Sequence, residues 1–110
     1  MKLTDLYDML VDLGYPVAYR QFKTTTPLPY IVYYFDGDDD LHADDTNHVP
    51  LSNVEVELYT EAKDEATEAS LEVALADNGF VWTKEETYID EEHMLQVSYS
   101  IQLLGGNDGS

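Results

Sequence analysis

The stretch FDGDDDLHADDTNHV, Phe35 to Val49, places six aspartates and two histidines in fifteen residues, with no lysine or arginine among them. Carboxylates at that density could ligate a hard cation, or the negative charge could itself be the useful property. An EF-hand loop requires oxygen ligands at positions 1, 3 and 5, glycine at 6 and a bidentate glutamate at 12, between two helices. Counting from Asp36, the ligands fall on Asp36, Asp38 and Asp40. Position 6 is then Leu41, position 12 is Asn47, and the flanks read as strands. The pattern fails at the residues that shape such a loop, which leaves Asp36, Asp38 and Asp40 as metal candidates by composition alone. His42 and His48 lack both the i, i+4 helical spacing and the cysteine support of a zinc site. The plain alternative is a solvated loop between two strands.

Other chemistry is sparse. The chain has no cysteine, so thiol catalysis is excluded. Its serines occupy no nucleophile-elbow context. No glycine-rich loop follows a strand, because Gly14, Gly37 and Gly79 each punctuate the end of an element. His93 has Glu91 and Glu92 nearby, whose charges would favour its protonated form, but a lone histidine in a charged turn is more often bland than catalytic. With 23 acids, accidental carboxylate pairs abound and carry no specificity for acid–base work. The expectation is a protein that is not an enzyme and carries no cofactor.

Twenty-three acids against five bases give a formal charge of −18, while 44% hydrophobic residues and nine tyrosines supply a core. Such a surface repels DNA, RNA and anionic membranes. At 110 residues the chain reads as one domain over 1–104, with GGNDGS at 105–110 as a flexible tail. The acidic N-terminus, MKLTDLYDMLVDLGY, is not a signal peptide, and no run of about eighteen apolar residues spans a membrane.

The elements that would position these residues follow from periodicity. Leu3, Leu6, Leu10 and Leu13, with Tyr7 beside them, form the stripe of an amphipathic helix, capped by Gly14 and stopped by Pro16. PVAYRQF (16–22) reads as a short strand, KTTTPLP (23–29) as a loop and YIVYYF (30–35) as a central strand. Val54, Val56 and Leu58 alternate with Glu55, Glu57 and Tyr59, a strand with one buried face. Thr60 can cap a helix over about 61–78, ended by Asn78-Gly79. FVWT (80–83) begins a further strand, and TKEETYIDEEHM reads as a charged connection or hairpin tip. Leu95, Val97, Tyr99, Ile101 and Leu103 alternate with polar residues, the longest period-2 run in the chain. The order α-β-β-β-α-β-β predicts an α+β fold, a single antiparallel or mixed sheet of about five strands covered by two helices.

On the second helix, Ala62, Ala66, Ala69, Val73 and Ala76 share one face, which would let the helix lie close to the sheet. Leu71 and Leu75 point nearly the opposite way, toward another part of the chain or a neighbouring subunit. Glu61, Glu65, Glu68 and Glu72 form a third stripe, either a solvated ridge or an electronegative surface kept for a purpose. Tyr33 and Tyr59 are divided between core and an outer, subunit-contacting face of the sheet.

With these elements placed, the chain resembles a family of small proteins from tailed bacteriophages and prophages of Gram-positive bacteria, the tail terminator or tail completion proteins. The likeness is carried by LGYPVAYRQF (13–22), PLPYIVYYFDG (27–37), ADDTNHV (43–49), VELYTEAKDEATE (56–68) and ETYIDEEHMLQVSYSI (86–101), in matching order over most of the chain. The resemblance implies a small α+β domain that forms a ring, a hexamer in the virion, which caps the finished tail tube and meets the head completion or connector protein. It implies location at the head-proximal end of the tail, and in the host cytoplasm before assembly. Ring contacts would come from Asp36–Pro50, including Asp38, Asp39, Asp40, Asp44 and Asp45, and from Thr83–Met94, including Glu85, Glu86 and Tyr88. The aspartates at 36–45 are denser than the family pattern, so this segment suits either a subunit interface or the free bore.

Six copies at −18 each would carry −108, and a bore lined by such carboxylates would let DNA pass without specific binding. Two other readings compete. A DNA mimic would bind a basic host protein as a monomer or dimer, and a cation-binding module would order its 36–45 loop in calcium.

Overall fold

The computed structural model describes residues 2–38, 41–43, 47–49 and 51–104; for Asp38, 41–43, 47–49 and Leu104 it describes the backbone only. The order is helix α1 (Leu3–Val11), strands β1 (Val17–Tyr19), β2 (Tyr30–Asp38), β3 (Leu41–Ala43), β4 (Asn47–Val49) and β5 (Leu51–Thr60), helix α2 (Glu65–Asp77), then strands β6 (Thr83–Ile89) and β7 (Met94–Leu104). Five strands form one mixed sheet in the order β1-β2-β5-β7-β6. β1 runs parallel to β2, and every other pairing in this sheet is antiparallel. The fold is α+β with two helices, as the order of elements predicts.

The two clean alternations build the centre. β5 pairs with β7 from Leu51–Leu104 to Thr60–Leu95, and Val54, Val56, Leu58, Val97, Tyr99 and Leu103 are completely buried on one face. Ile31 and Tyr33 of β2 extend that face, and Leu6 and Leu10 of α1 and Leu71 and Leu75 of α2 cover it. Each such side chain contributes about 1.5–3 kcal/mol of burial. Tyr7 of α1 lies 6.1 Å from Tyr33, ring centre to ring centre, which sets α1 over the β2 side. Trp82 meets Tyr99 edge-on at 6.3 Å beneath α2. Both helices end at a glycine in the left-handed region, Gly14 (φ +96°) and Gly79 (φ +83°), where a Cβ would be strained.

Five expectations are corrected. The second helix starts four residues later than a Thr60 cap implies. Thr60 is the last residue of β5, facing the core opposite Leu95, and Asp64 caps the helix by accepting from the Thr67 amide at 3.1 Å. The helix also faces the other way. Leu71 and Leu75 are its core residues, whereas Ala66, Ala69, Val73 and Ala76 are exposed. β1 stops at Tyr19 because Arg20 turns into the left-handed region at φ +70°. The charged segment after Trp82 is itself a strand, β6, held by pairing with β7 over Thr83–Ile89. The acidic segment holds a short hairpin rather than a plain loop, with Leu41, His42 and Ala43 opposite Val49, His48 and Asn47.

Candidate functional site

Because side chains alternate along a strand, the register that buries Val54, Val56 and Leu58 sends Asn53, Glu55, Glu57 and Tyr59 to the opposite face, which no helix covers. Across β2, β5, β7 and β6, Tyr34, Glu55, Ser100 and Thr83 stand in one row, and Val32, Glu57, Ser98 and Glu85 in the next. Ser98 and Ser100 thus stand on the central strand of this face, between β5, which carries Glu55 and Glu57, and β6, which carries Glu85. Strands are spaced about 4.8 Å apart, so the β5 and β6 backbones that carry these acids stand about 10 Å from each other.

The acids of this face are held by hydroxyls. Glu57 accepts from Tyr34 at 3.1 Å and Tyr59 at 2.8 Å, and the Gln96 amide donates to the Tyr59 hydroxyl at 2.8 Å. Ser100 donates to Glu55 at 2.6 Å. Among the described residues none of Asp36, Glu55, Glu57 and Glu85 forms an ion pair. Partial burial raises the Glu55 pKa, and nearby Asp36, Glu57 and Glu85 add to the rise against the Ser100 hydrogen bond. Burial likewise lifts the Tyr34 hydroxyl to about 12, with Glu57 adding to the effect.

Two clefts open on this face, one of them reaching Ser100. One, of about 600 Å³, lies between Asp36, Asn53 and Glu55 and the Phe80–Trp82 segment. The other, of about 500 Å³, is walled by the 20–26 segment, which folds over the β2 end of the face. There Phe22 meets Tyr30 edge-on at 5.1 Å and Tyr30 stacks on Tyr59 at 5.0 Å. Arg20 rests over the Tyr34 ring at 5.2 Å and donates to the Phe35 carbonyl.

The helix-covered side carries a different set of charges. Glu68, only 2% exposed, receives Lys84 at 2.8 Å and Lys63 at 3.0 Å on one oxygen, while its other oxygen has no partner among the described residues. Lys84 also reaches Glu72 at 2.7 Å, Lys63 reaches Glu86 at 2.7 Å, and the Tyr99 hydroxyl donates to Glu72 at 2.8 Å. Burial alone would raise the Glu68 pKa, but the two lysines outweigh it and hold the carboxyl below its ordinary value.

The predicted site residues therefore scatter. Tyr59 lies on the open face, whereas Tyr33 is core at 7% exposure. Leu71 and Leu75 are buried in the core of the chain itself, at 1% and 0% exposure. The glutamate ridge breaks up, because Glu61 precedes the helix, Glu65 is exposed, Glu68 is buried and Glu72 is half-buried in an ion pair with Lys84. Glu85 and Glu86 lie on opposite faces of the edge strand β6, with Tyr88 half-exposed. Asp36 is exposed beside Glu55; the side chain of Asp38 and all of Asp39, Asp40, Asp44 and Asp45 lie outside the described residues. Among the described residues no three acids or histidines converge on a point that could hold a metal, and no helix is long and apolar enough to cross a membrane. Sequence reasoning missed the Lys63–Glu68–Lys84–Glu72 network and the grouping of Ser98, Ser100 and Glu85 across strands. Lys63 and Lys84 were the available signal, two of only five bases in the chain.

No known family profile matches the chain, and no curated protein matches it in sequence. Among solved structures, it is similar to a chain in the virion of a native gene transfer agent particle, with a TM-score of 0.57 and 17% identity over 90% of each chain. At that identity the likeness establishes the fold.

Proposed function

We propose that this protein is a structural component of a tailed phage or phage-like particle, a tail terminator that closes the tail tube as a hexameric ring and joins it to the head. The observation that carries this reading is the fold shared with a gene transfer agent virion chain over 90% of both chains. The ordered resemblance of five segments to tail completion proteins supports it independently. In this reading the protein does no bond-making chemistry. Its partners are further copies of itself, the tail tube protein and the head completion or connector protein. It waits in the host cytoplasm and ends at the head-proximal tip of the tail.

The charge has a role and a cost in such a ring. DNA passing a carboxylate-lined bore finds no cations to displace its counterions, so it does not adhere. The same charge makes subunits repel over the screening distance of about 8–10 Å at physiological salt. Assembly is therefore expected to strengthen as salt rises from low to physiological, and dissociation over that range would defeat the repulsion argument. Electron microscopy of particles lacking the protein tests the role itself. Overlong or unjoined tails are expected; normal, DNA-filled, tailed particles would overturn it.

A further inference from the structure

The five-stranded sheet ends on two strands with one neighbour each, β1 beside β2 and β6 beside β7. Next to β1, the Pro16 carbonyl accepts from the Ile31 amide and the Arg20 amide donates to the Tyr33 carbonyl, both at 2.9 Å and both toward β2. Alternation along the strand therefore turns the amides of Val17 and Tyr19 and the carbonyl of Val17 outward. On β6 every residue but Ile89 is exposed, and no further backbone bond leaves Thr83–Ile89 among the described residues. Open strand edges of this kind are completed by a strand from another chain. We propose that β1 of one copy pairs antiparallel with β6 of the next, extending the sheet head to tail from subunit to subunit.

The two edges differ in charge, and the difference selects this pairing. β6 carries Glu85 and Glu86 and runs into Asp90, Glu91 and Glu92, so two β6 edges repel each other. Its one base, Lys84, is already held by Glu68 and Glu72. β1 holds no acid, and Arg20 and Lys23 follow it. Among the described residues Arg20 reaches no carboxylate, and its guanidinium lies over Tyr34 on the open face. Direction and register then follow from the topology. With the helices kept on one side, β6 of one copy runs against β1 of its neighbour, because β1 and β7 share a direction and β6 opposes it. Val17 and Tyr19 lie opposite core residues Ile31 and Tyr33, and Glu86 and Tyr88 lie opposite core residues Val97 and Leu95, so all four belong to the helix-covered face. Setting Val17 against Tyr88 and Tyr19 against Glu86 places Ala18 opposite Thr87 and Arg20 opposite Glu85, an apolar pair and an opposite-charge pair. A slip of two residues either way keeps the faces matched, but it takes Arg20 to Thr83 or Thr87 and sets Val17 against Glu86 or Asp90. Repetition of one such contact closes a ring or runs on as a filament. The inference deepens the tail-closure reading, resting on its self-assembly and naming the strands that meet.

The chain has no cysteine, so introduced cysteines report this contact alone. In the proposed register Ala18 and Thr87 have Cα atoms about 4.5 Å apart, within reach of a disulfide. Full chains carrying Ala18→Cys are mixed with chains carrying Thr87→Cys at about 0.15 M salt, oxidised, and separated without reductant. The mixed disulfide should exceed either homodimer. Ala18→Cys mixed with Thr83→Cys, four residues out of register, should give about tenfold less. Glu85→Arg in the Thr87→Cys chain lowers the overall repulsion yet should cut the yield about fivefold, whereas Glu61→Arg, outside both strands, should not cut it. No cross-link, equal yields in the two registers, Thr87→Cys homodimers as abundant as the mixed species, or a higher yield with Glu85→Arg would each overturn the pairing. A chain carrying both cysteines separates the two proposals. A ladder that closes at a size other than a hexamer keeps the edge contact and removes the hexamer, and normal tails without the protein remove the tail role and leave the contact standing.

Discussion

Glutamates stand on both sides of this sheet, in different company. Under α2, Glu68, Glu72 and Glu86 each reach a lysine within 3.0 Å. On the open face, Glu55 and Glu57 reach only serine and tyrosine hydroxyls among the described residues. The difference follows from water. A carboxylate buried as deeply as Glu68 stays charged only with a countercharge supplied by the same chain. A carboxylate that keeps part of its hydration needs none, and its field remains available to something outside. The chain has five bases in all, and two of them serve the side where burial demands them.

Four experiments could break or sharpen this contrast. The largest effect belongs to the apolar half of the covered side. Leu71→Ala should cost about 2–5 kcal/mol in chemical denaturation, since its side chain is 1% exposed in the core. A surface-like cost would mean that α2 does not seat where Leu71 and Leu75 place it. Next comes Lys84→Met, which keeps an unbranched side chain opposite Tyr99 but removes the ammonium over that ring and leaves buried Glu68 with Lys63 alone. A loss of about 1–3 kcal/mol is expected from the under-compensated carboxylate.

The two faces should also titrate in opposite senses, measured as unfolding free energy against pH. Glu68 is depressed in the fold, so its contribution is complete above its ordinary pKa of 4.5 and is lost as pH falls through the lower folded value. Glu55 is raised, so the stability it contributes is fully present below 4.5 and is lost as pH rises through the higher folded value. Glu68→Gln should therefore remove part of the acid-side loss, and Glu55→Gln should remove part of the opposing gain. Curves that change in the same direction would contradict the contrast. The smallest effect is at Val73, 59% exposed on the alanine face of α2. Val73→Glu should shift stability by no more than about 0.5 kcal/mol; a core-sized loss would restore the inward reading of that face.

Much of the fold was legible because β5 and β7 alternate without interruption and the leucines of α1 recur at helical spacing. α2 misled for a physical reason. Its alanines are apolar by type but too small to anchor a helix, while Leu71 and Leu75, with Thr67 and Glu68, bury the opposite side. A glutamate at a core position is unreadable unless its lysines are known to arrive, and Lys84 comes from a strand whose residues are nearly all exposed. That exposure also hid β6, since an edge strand wet on both faces has no period-2 signal. The grouping on the open face was invisible because Ser98, Ser100 and Glu85 meet through register between strands, which composition does not encode.

The ladder between β5 and β7 has a mechanical consequence. Its ten successive pairs, Leu51–Leu104 to Thr60–Leu95, lie side by side along the middle of the sheet. Traction along the strands must shear that whole set together, whereas β1 is tied to β2 by only three pairs and can peel away one by one. Under a stretching force the molecule should yield first at β1, with its centre the last part to give way.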